Sequence, residues 1–81
     1  MSVSSMLNID LQDEGRARTL FAAILPEVQS TKPGVAKVLM TMEGGSIALK
    51  INASSLAALR ALLNSYIRWF STSLEIMELG D

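Results

Sequence analysis

The chain has 81 residues, 49% apolar and 19% charged, which fits one compact domain and excludes a disordered segment or a multidomain protein. Lys and Arg total 7 against 8 Asp and Glu, a formal net charge of −1, so binding of nucleic acid by bulk electrostatics alone is not expected. There is no Cys and no His, which excludes disulfides and removes the usual zinc and haem ligands.

At this size the balance of apolar burial against ordering entropy, roughly 1.5 kcal/mol per residue, comes out near zero. Oligomerisation is the remaining source of extra stability. The absence of thiols fits a reducing cytosol. No stretch reaches the roughly 18 apolar residues of a membrane helix, and residues 1–6 carry no basic n-region. The expectation is a cytoplasmic protein without a membrane span or a targeting segment.

Residues 5–12 alternate, with Leu7, Ile9 and Leu11 on one side and Met6, Asn8 and Asp10 on the other, the pattern of a half-buried strand. Asp13 then stands at an N-cap position, and Glu14 places a negative charge at the positive end of a helix dipole. From there the period becomes 3.6, with Ala17, Leu20, Phe21, Ile24, Leu25 and Val28 on one face of a first helix. Pro26 either kinks the last turn of that helix or ends it early. Residues 29–34, Gln-Ser-Thr-Lys-Pro-Gly, read as an exposed loop.

Residues 36–43 alternate again, Gly44-Gly45 follows, and residues 46–52 carry Ile47, Leu49 and Ile51 on one side. Two glycines between alternating runs predict a tight hairpin whose turn needs positive φ. A two-residue loop sets Glu43 opposite Ser46, Met42 opposite Ile47, Met40 opposite Leu49 and Val38 opposite Ile51. Every large apolar residue then shares one face except Leu39, which with Ala48 interrupts an otherwise polar opposite face.

Residues 54–77 read as the longest helix, capped by Ser54 or Ser55. Leu56, Leu59, Leu63, Tyr66, Ile67, Phe70, Leu74 and Met77 form its core-facing stripe. Beside it runs a second apolar line, Leu62, Trp69 and Ile76, continued by the small Ala58 and Ser65. That line has two readings: it contacts the first helix within the monomer, or it forms, with Ala22 and Ala23, a face on which helices of a partner protein dock. The second is favoured, because Trp is enriched at interfaces and small residues permit close helix approach.

The element order is β-α-β-β-α. With the first helix crossing over, the third strand lies between the first and second. Residues 1–81 are therefore expected to form a single α+β domain of two layers, a three-stranded antiparallel sheet with both helices packed on one face.

Without His, Cys or paired carboxylates at a defined spacing, no catalytic constellation is expected, and no cofactor or metal. Asp10, Asp13 and Glu14 read as a strand end and a helix cap. Gly44-Gly45 lacks the Lys-Ser/Thr ending and following helix of a phosphate loop. Arg16, Arg18, Lys32, Lys37 and Lys50 are the candidate RNA contacts, although each singly reads first as a solvated surface charge. Tyr66 and Trp69 lie on the apolar arc, where core or interface takes precedence over base stacking.

The run 51–69, with Leu59-Arg60-Ala61, Asn64-Ser65-Tyr66 and Arg68-Trp69, resembles the signature region of the small dimerising subunit of the KEOPS complex in its archaeal form. Leu25-Pro26-Glu27 also looks like that family, and the resemblance covers most of the chain. Ser55 stands where that family commonly has Asp, and Ser caps a helix as well. The resemblance implies a non-catalytic subunit of the complex that installs threonylcarbamoyl on N6 of the adenosine beside the anticodon in ANN-decoding tRNAs. It implies a homodimer whose helices dock on N-terminal helices of the metal-dependent threonylcarbamoyl transferase subunit, with tRNA held by the assembled complex. The alternative is a small KH-like RNA-binding module acting on its own, although the GXXG loop between two helices is missing.

Overall fold

The computed structural model describes residues 2–32 and 34–79. Its elements are β1 (Val3–Asp10), α1 (Glu14–Ser30), β2 (Ala36–Glu43), β3 (Ser46–Ala53) and α2 (Leu56–Leu79). The sheet has the order β1-β3-β2, and both pairings are antiparallel. α1 lies over β2 and β3, α2 over β3 and β1, and the two helices also touch each other. This is the expected two-layer α+β domain.

The β2–β3 hairpin has the register read from its alternation: Glu43 pairs Ser46, Met42 pairs Ile47, Met40 pairs Leu49 and Val38 pairs Ile51. Gly44 has φ +57, whereas Gly45 has no left-handed φ, which matches a turn that needs positive φ at its first central position. Gly45 is required for a different reason. A Cβ there would lie 2.5 Å from the backbone nitrogen of Asp13, because the β1–α1 corner sits directly against the turn. The Leu11 N–H donates to the Gly45 carbonyl at 2.9 Å and closes that contact.

The same corner sets the end of β1. Gln12 has φ 55, and its N–H donates to Asp10 Oδ1 at 2.9 Å, so the chain leaves the sheet after Asp10, short of the residue 12 that alternation suggests. At the other end, pairing with β3 carries the strand back to Val3, opposite Ala53. Asp13 caps α1 as expected, accepting the Arg16 N–H at 2.9 Å. Pro26 does not end α1: the helix continues to Ser30, taking in Gln29 and Ser30, which their turn-forming composition assigns to the loop. Ala22 and Pro26 both lie on the exposed side, where a carbonyl released from the helical ladder faces water rather than core. Pro33, within that loop, lies outside the described residues.

Ser55 is the residue that caps α2, its Oγ accepting the Ala58 N–H at 3.1 Å, while Ser54 turns back toward the Val35 carbonyl at 3.5 Å. The core lies between sheet and helices: Ile47, Leu49, Ile51 and Met40 from the sheet meet Ala17, Leu20 and Ile24 of α1 and Leu59, Tyr66 and Phe70 of α2. At about 1.5 Å per residue, 24-residue α2 runs about 36 Å, against about 27 Å for an eight-residue strand. It outruns the sheet, and Ile76 and Leu79 near its end are exposed. Among the described residues no helix is long and apolar enough to cross a membrane.

Candidate helix-docking face and basic residues

Position along α2 decides which of its apolar residues the fold uses. Leu59, Tyr66 and Phe70 are buried and define the inward direction. At about 100° per residue, Leu56 and Ile67 lie some 60–80° from that direction. They were expected in the core stripe, yet Leu56 is 54% exposed and Ile67 44%. Ile67 instead lines, with Leu7, Ile9, Phe70, Ser71 and Leu74, an apolar groove of about 200 Å³ between α2 and the outer strand β1. Sequence periodicity missed this groove, since its floor comes from the core-side residues of an edge strand that no helix fully covers.

On the opposite flank of α2, Leu62 and Trp69 are half-buried and pack against the core on the side of α1. The Trp69 ring meets that of Tyr66 edge to face, with centroids 5.1 Å apart and planes at 85°. Trp69 lines a groove of about 210 Å³ between the helices, together with Ala23, Ile24 and Glu27 of α1 and Arg68, Thr72 and Ser73 of α2. Ala22 and Ala23 are exposed on α1, and Ile76 is 63% exposed beyond the groove. Leu62 and Trp69 pack against the core, and Trp69 with Ala23 also lines an open groove between the helices.

The seam is fastened at the end of α1. Tyr66 is fully buried, and its hydroxyl donates to the Glu27 carbonyl at 3.2 Å. Thr31 Oγ1 lies 3.1 Å from the Tyr66 hydroxyl and 3.2 Å from the same carbonyl, and Ser30 Oγ reaches it at 3.1 Å. Burial pushes the Tyr66 phenol up from its ordinary pKa of 10.0; the hydrogen bond with Thr31 pulls it down and the Glu27 charge pushes it up again. Nothing here aims an activated group at an open cavity. Among the described residues no three His, Cys, Asp or Glu side chains gather into a metal-binding group.

The candidate RNA contacts fall into two groups. Arg16 and Arg18 sit at the start of α1, near the hairpin turn; Arg18 pairs with Glu14 at 3.2 Å on an exposed surface. Lys32 follows the end of α1, and α1 spans about 25 Å. Lys37 and Lys50 belong to that far end as well, on the uncovered side of the sheet, where Lys37 pairs Asn52 and Lys50 pairs Leu39. They line a shallow hollow of about 350 Å³ with Val38, Leu39 and Asn52. A single chain therefore offers no one patch holding all five.

The family model described as Transcription factor Pcc1 matches residues 4–78. The chain is also similar to the KEOPS complex subunit Pcc1 of Pyrococcus abyssi (strain GE5 / Orsay), with 29% identity over 77 residues, covering 95% of this chain and 94% of that protein. Both grooves and all five elements, except Val3 at the start of β1 and Leu79 at the end of α2, fall within the matched residues, and the chain belongs to the Pcc1 family.

Proposed function

We propose that this chain is a non-catalytic component of a KEOPS complex that makes threonylcarbamoyladenosine in tRNA. Its membership of the Pcc1 family and the name of its Pyrococcus relative support the assignment to that complex. The observation that carries the docking role is the open groove between α1 and α2, lined by Ala23 and Trp69. Small residues on one helix and an aromatic ring on the other suit the close approach of further helices. The occupant in this reading is the N-terminal helical region of the threonylcarbamoyl transferase subunit, and the chemistry belongs to that subunit. The chain acts as a homodimer in the cytoplasm. With a net charge of −1, it contacts tRNA only within the assembled complex, drawing on Arg16, Arg18, Lys32, Lys37 and Lys50.

Co-purification with the transferase subunit tests the docking face. Ala23→Arg fills the groove from an exposed position and Ile76→Glu charges its exposed continuation, so both variants keep the fold. Loss of co-purification by Ala23→Arg, with unchanged circular dichroism, is the expected result. Full retention by both folded variants would remove the groove as the docking site.

A further inference from the structure

The two layers of the fold differ in width. Packed helices lie about 10 Å apart and strands about 4.8 Å, so a pair of helices covers about four strands, whereas this sheet has three. The shortfall lies on the β1 side. There Ile67 is 44% exposed, and Leu56, three full turns earlier on the same flank of α2, is 54% exposed. The groove of about 200 Å³ opens between Ile67 and Leu74 of the helix and Leu7 and Ile9 of the strand. Among the described residues β1 pairs only with β3. Continuing the β1–β3 register past Asp10 and Ser46 sets Leu11 opposite Gly45, and the Leu11 N–H donates to the Gly45 carbonyl. Odd-numbered residues of β1 therefore bond toward β3, and the amides and carbonyls of Ser4, Met6 and Asn8 face the open edge. Exposed edges are normally guarded by Lys, Pro or a bulge. β1 has none of these over its eight residues, and its one charge, Asp10, stands at the very end.

We propose that the open edge of β1 takes one extended segment of a partner chain as a fourth strand, with its alternate side chains apolar and seated under α2. Free backbone groups at Ser4, Met6 and Asn8 call for a backbone in return, which is strand addition. Side chains of the added strand that face Leu7 and Ile9 enter the groove beside Ile67 and Leu74, and those between them lie on the other face of the sheet, with Met6 and Asn8. Charge sets the ends. α2 starts beside Val3, because Val3 pairs Ala53 and the helix follows that residue at Leu56, and it runs toward Asp10. Its β1 flank carries Arg60 near the start and Glu78 near the end, both exposed and within about 20° of Ile67 around the helix. The segment is therefore acidic at its end by Val3 and basic at its end by Asp10 and Glu78. A second copy is a poor occupant of this edge. Pairing β1 with β1 would set four helices, about 40 Å across, over six strands spanning about 29 Å, and drive the two α2 helices into one space. The site lies on the flank of α2 opposite to the groove lined by Trp69 and Ala23, so both can be filled together.

The probe is a fluorescein-labelled peptide of about ten residues, glutamate at one end, lysine at the other and valine alternating with threonine between, made in both sequence directions. It is added to the full chain, and the better-binding direction is carried forward. Fluorescence anisotropy reads its affinity, and amide exchange reads its place. The expected result is binding with new protection at Ser4, Met6 and Asn8 and little change at Leu7 and Ile9, whose amides already bond to β3. Ile67→Glu puts a charge into the groove from a position 44% exposed and should weaken binding about tenfold or more. Asn8→Pro removes one outward donor without touching the bonds to β3, and the same loss of about tenfold or more is expected. Circular dichroism verifies both variants, and the exchange pattern of the wild type decides even where a variant fails to fold. A wild type that does not bind the peptide, binding that leaves the three amides unprotected, or folded variants that bind as tightly as the wild type would each overturn the proposal. Protection of the same amides before any peptide is added, lost on dilution, would give the edge to a second copy and overturn it as well.

Discussion

The Tyr66 hydroxyl of α2 donates to the Glu27 carbonyl of α1 at 3.2 Å, joining residues 39 positions apart at the place where α1 runs out of its own hydrogen-bond donors. The last carbonyls of any helix lack intrahelical partners, and here one of them is met by a side chain from the neighbouring helix. Tyr66→Phe removes the hydroxyl and keeps the ring. The Glu27 carbonyl retains the Ser30 and Thr31 hydroxyls at 3.1 and 3.2 Å, so no buried acceptor is orphaned. The expected cost is about 1 kcal/mol, a fall in Tm of about 4–8 °C for a domain of this size. Thermal and urea unfolding of the two proteins measure it.

The same phenol makes stability fall in alkali. Its pKa in the folded protein is raised above 10.0, burial being the largest cause. Below 10.0 both states hold the proton and the contribution is fully present. As pH rises past 10.0 the unfolded chain loses the proton first, the folded state binds more protons than the unfolded one, and stability drops until the folded pKa is passed. The difference in stability between wild type and Tyr66→Phe should therefore shift against the wild type above pH 10.0 and stay constant below it. This is the only Tyr in the chain, so phenolate absorbance reports its titration without overlap.

Much of the architecture was legible because it rests on local rules. The hairpin register followed from a two-residue glycine loop between runs of period two, and the strand order from the crossover of the first helix to a non-adjacent position. What depends on the neighbours of an element was not. Periodicity places Leu56 and Ile67 beside Leu59 and Phe70 on α2, but only the position of α2 over β3 and β1 says where the inward direction lies. The two groups of basic residues likewise become visible only when the direction of each strand is known, since Lys37 and Lys50 are neighbours through pairing and not through sequence.

This difference in α2 has a direct consequence for mutants. Phe70→Ala opens a cavity in the core, where Phe70 is 2% exposed, and should cost about 3–5 kcal/mol. Ile67→Ala removes a side chain that is 44% exposed and introduces a better helix former, so its cost should stay below about 1 kcal/mol. Urea unfolding of both variants decides the matter. Equal losses would mean that the inward axis of α2 lies between the two residues, as periodicity alone suggests.

The two glycines of the hairpin should both resist substitution, but for different reasons, although their sequence positions look equivalent. At Gly44 a new Cβ meets open space, and the difficulty is φ +57 alone. Gly44→Ala should cost about 1–2 kcal/mol, and Gly44→Asn less, because Asn tolerates the left-handed region. At Gly45 the obstacle is the backbone of the β1–α1 corner, 2.5 Å away at Asp13 N and 3.1 Å at the Gln12 carbonyl carbon. Backbone cannot rotate aside as a side chain does. Gly45→Ala should push the corner away from the turn, strain the Leu11 to Gly45 hydrogen bond and reach the upper part of the 1–3 kcal/mol range for overpacking, about 2–3 kcal/mol. Asn at position 45 should give no relief, in contrast to position 44. Denaturant midpoints of the four variants, with amide exchange at Leu11 as the local readout, separate a conformational requirement from a steric one.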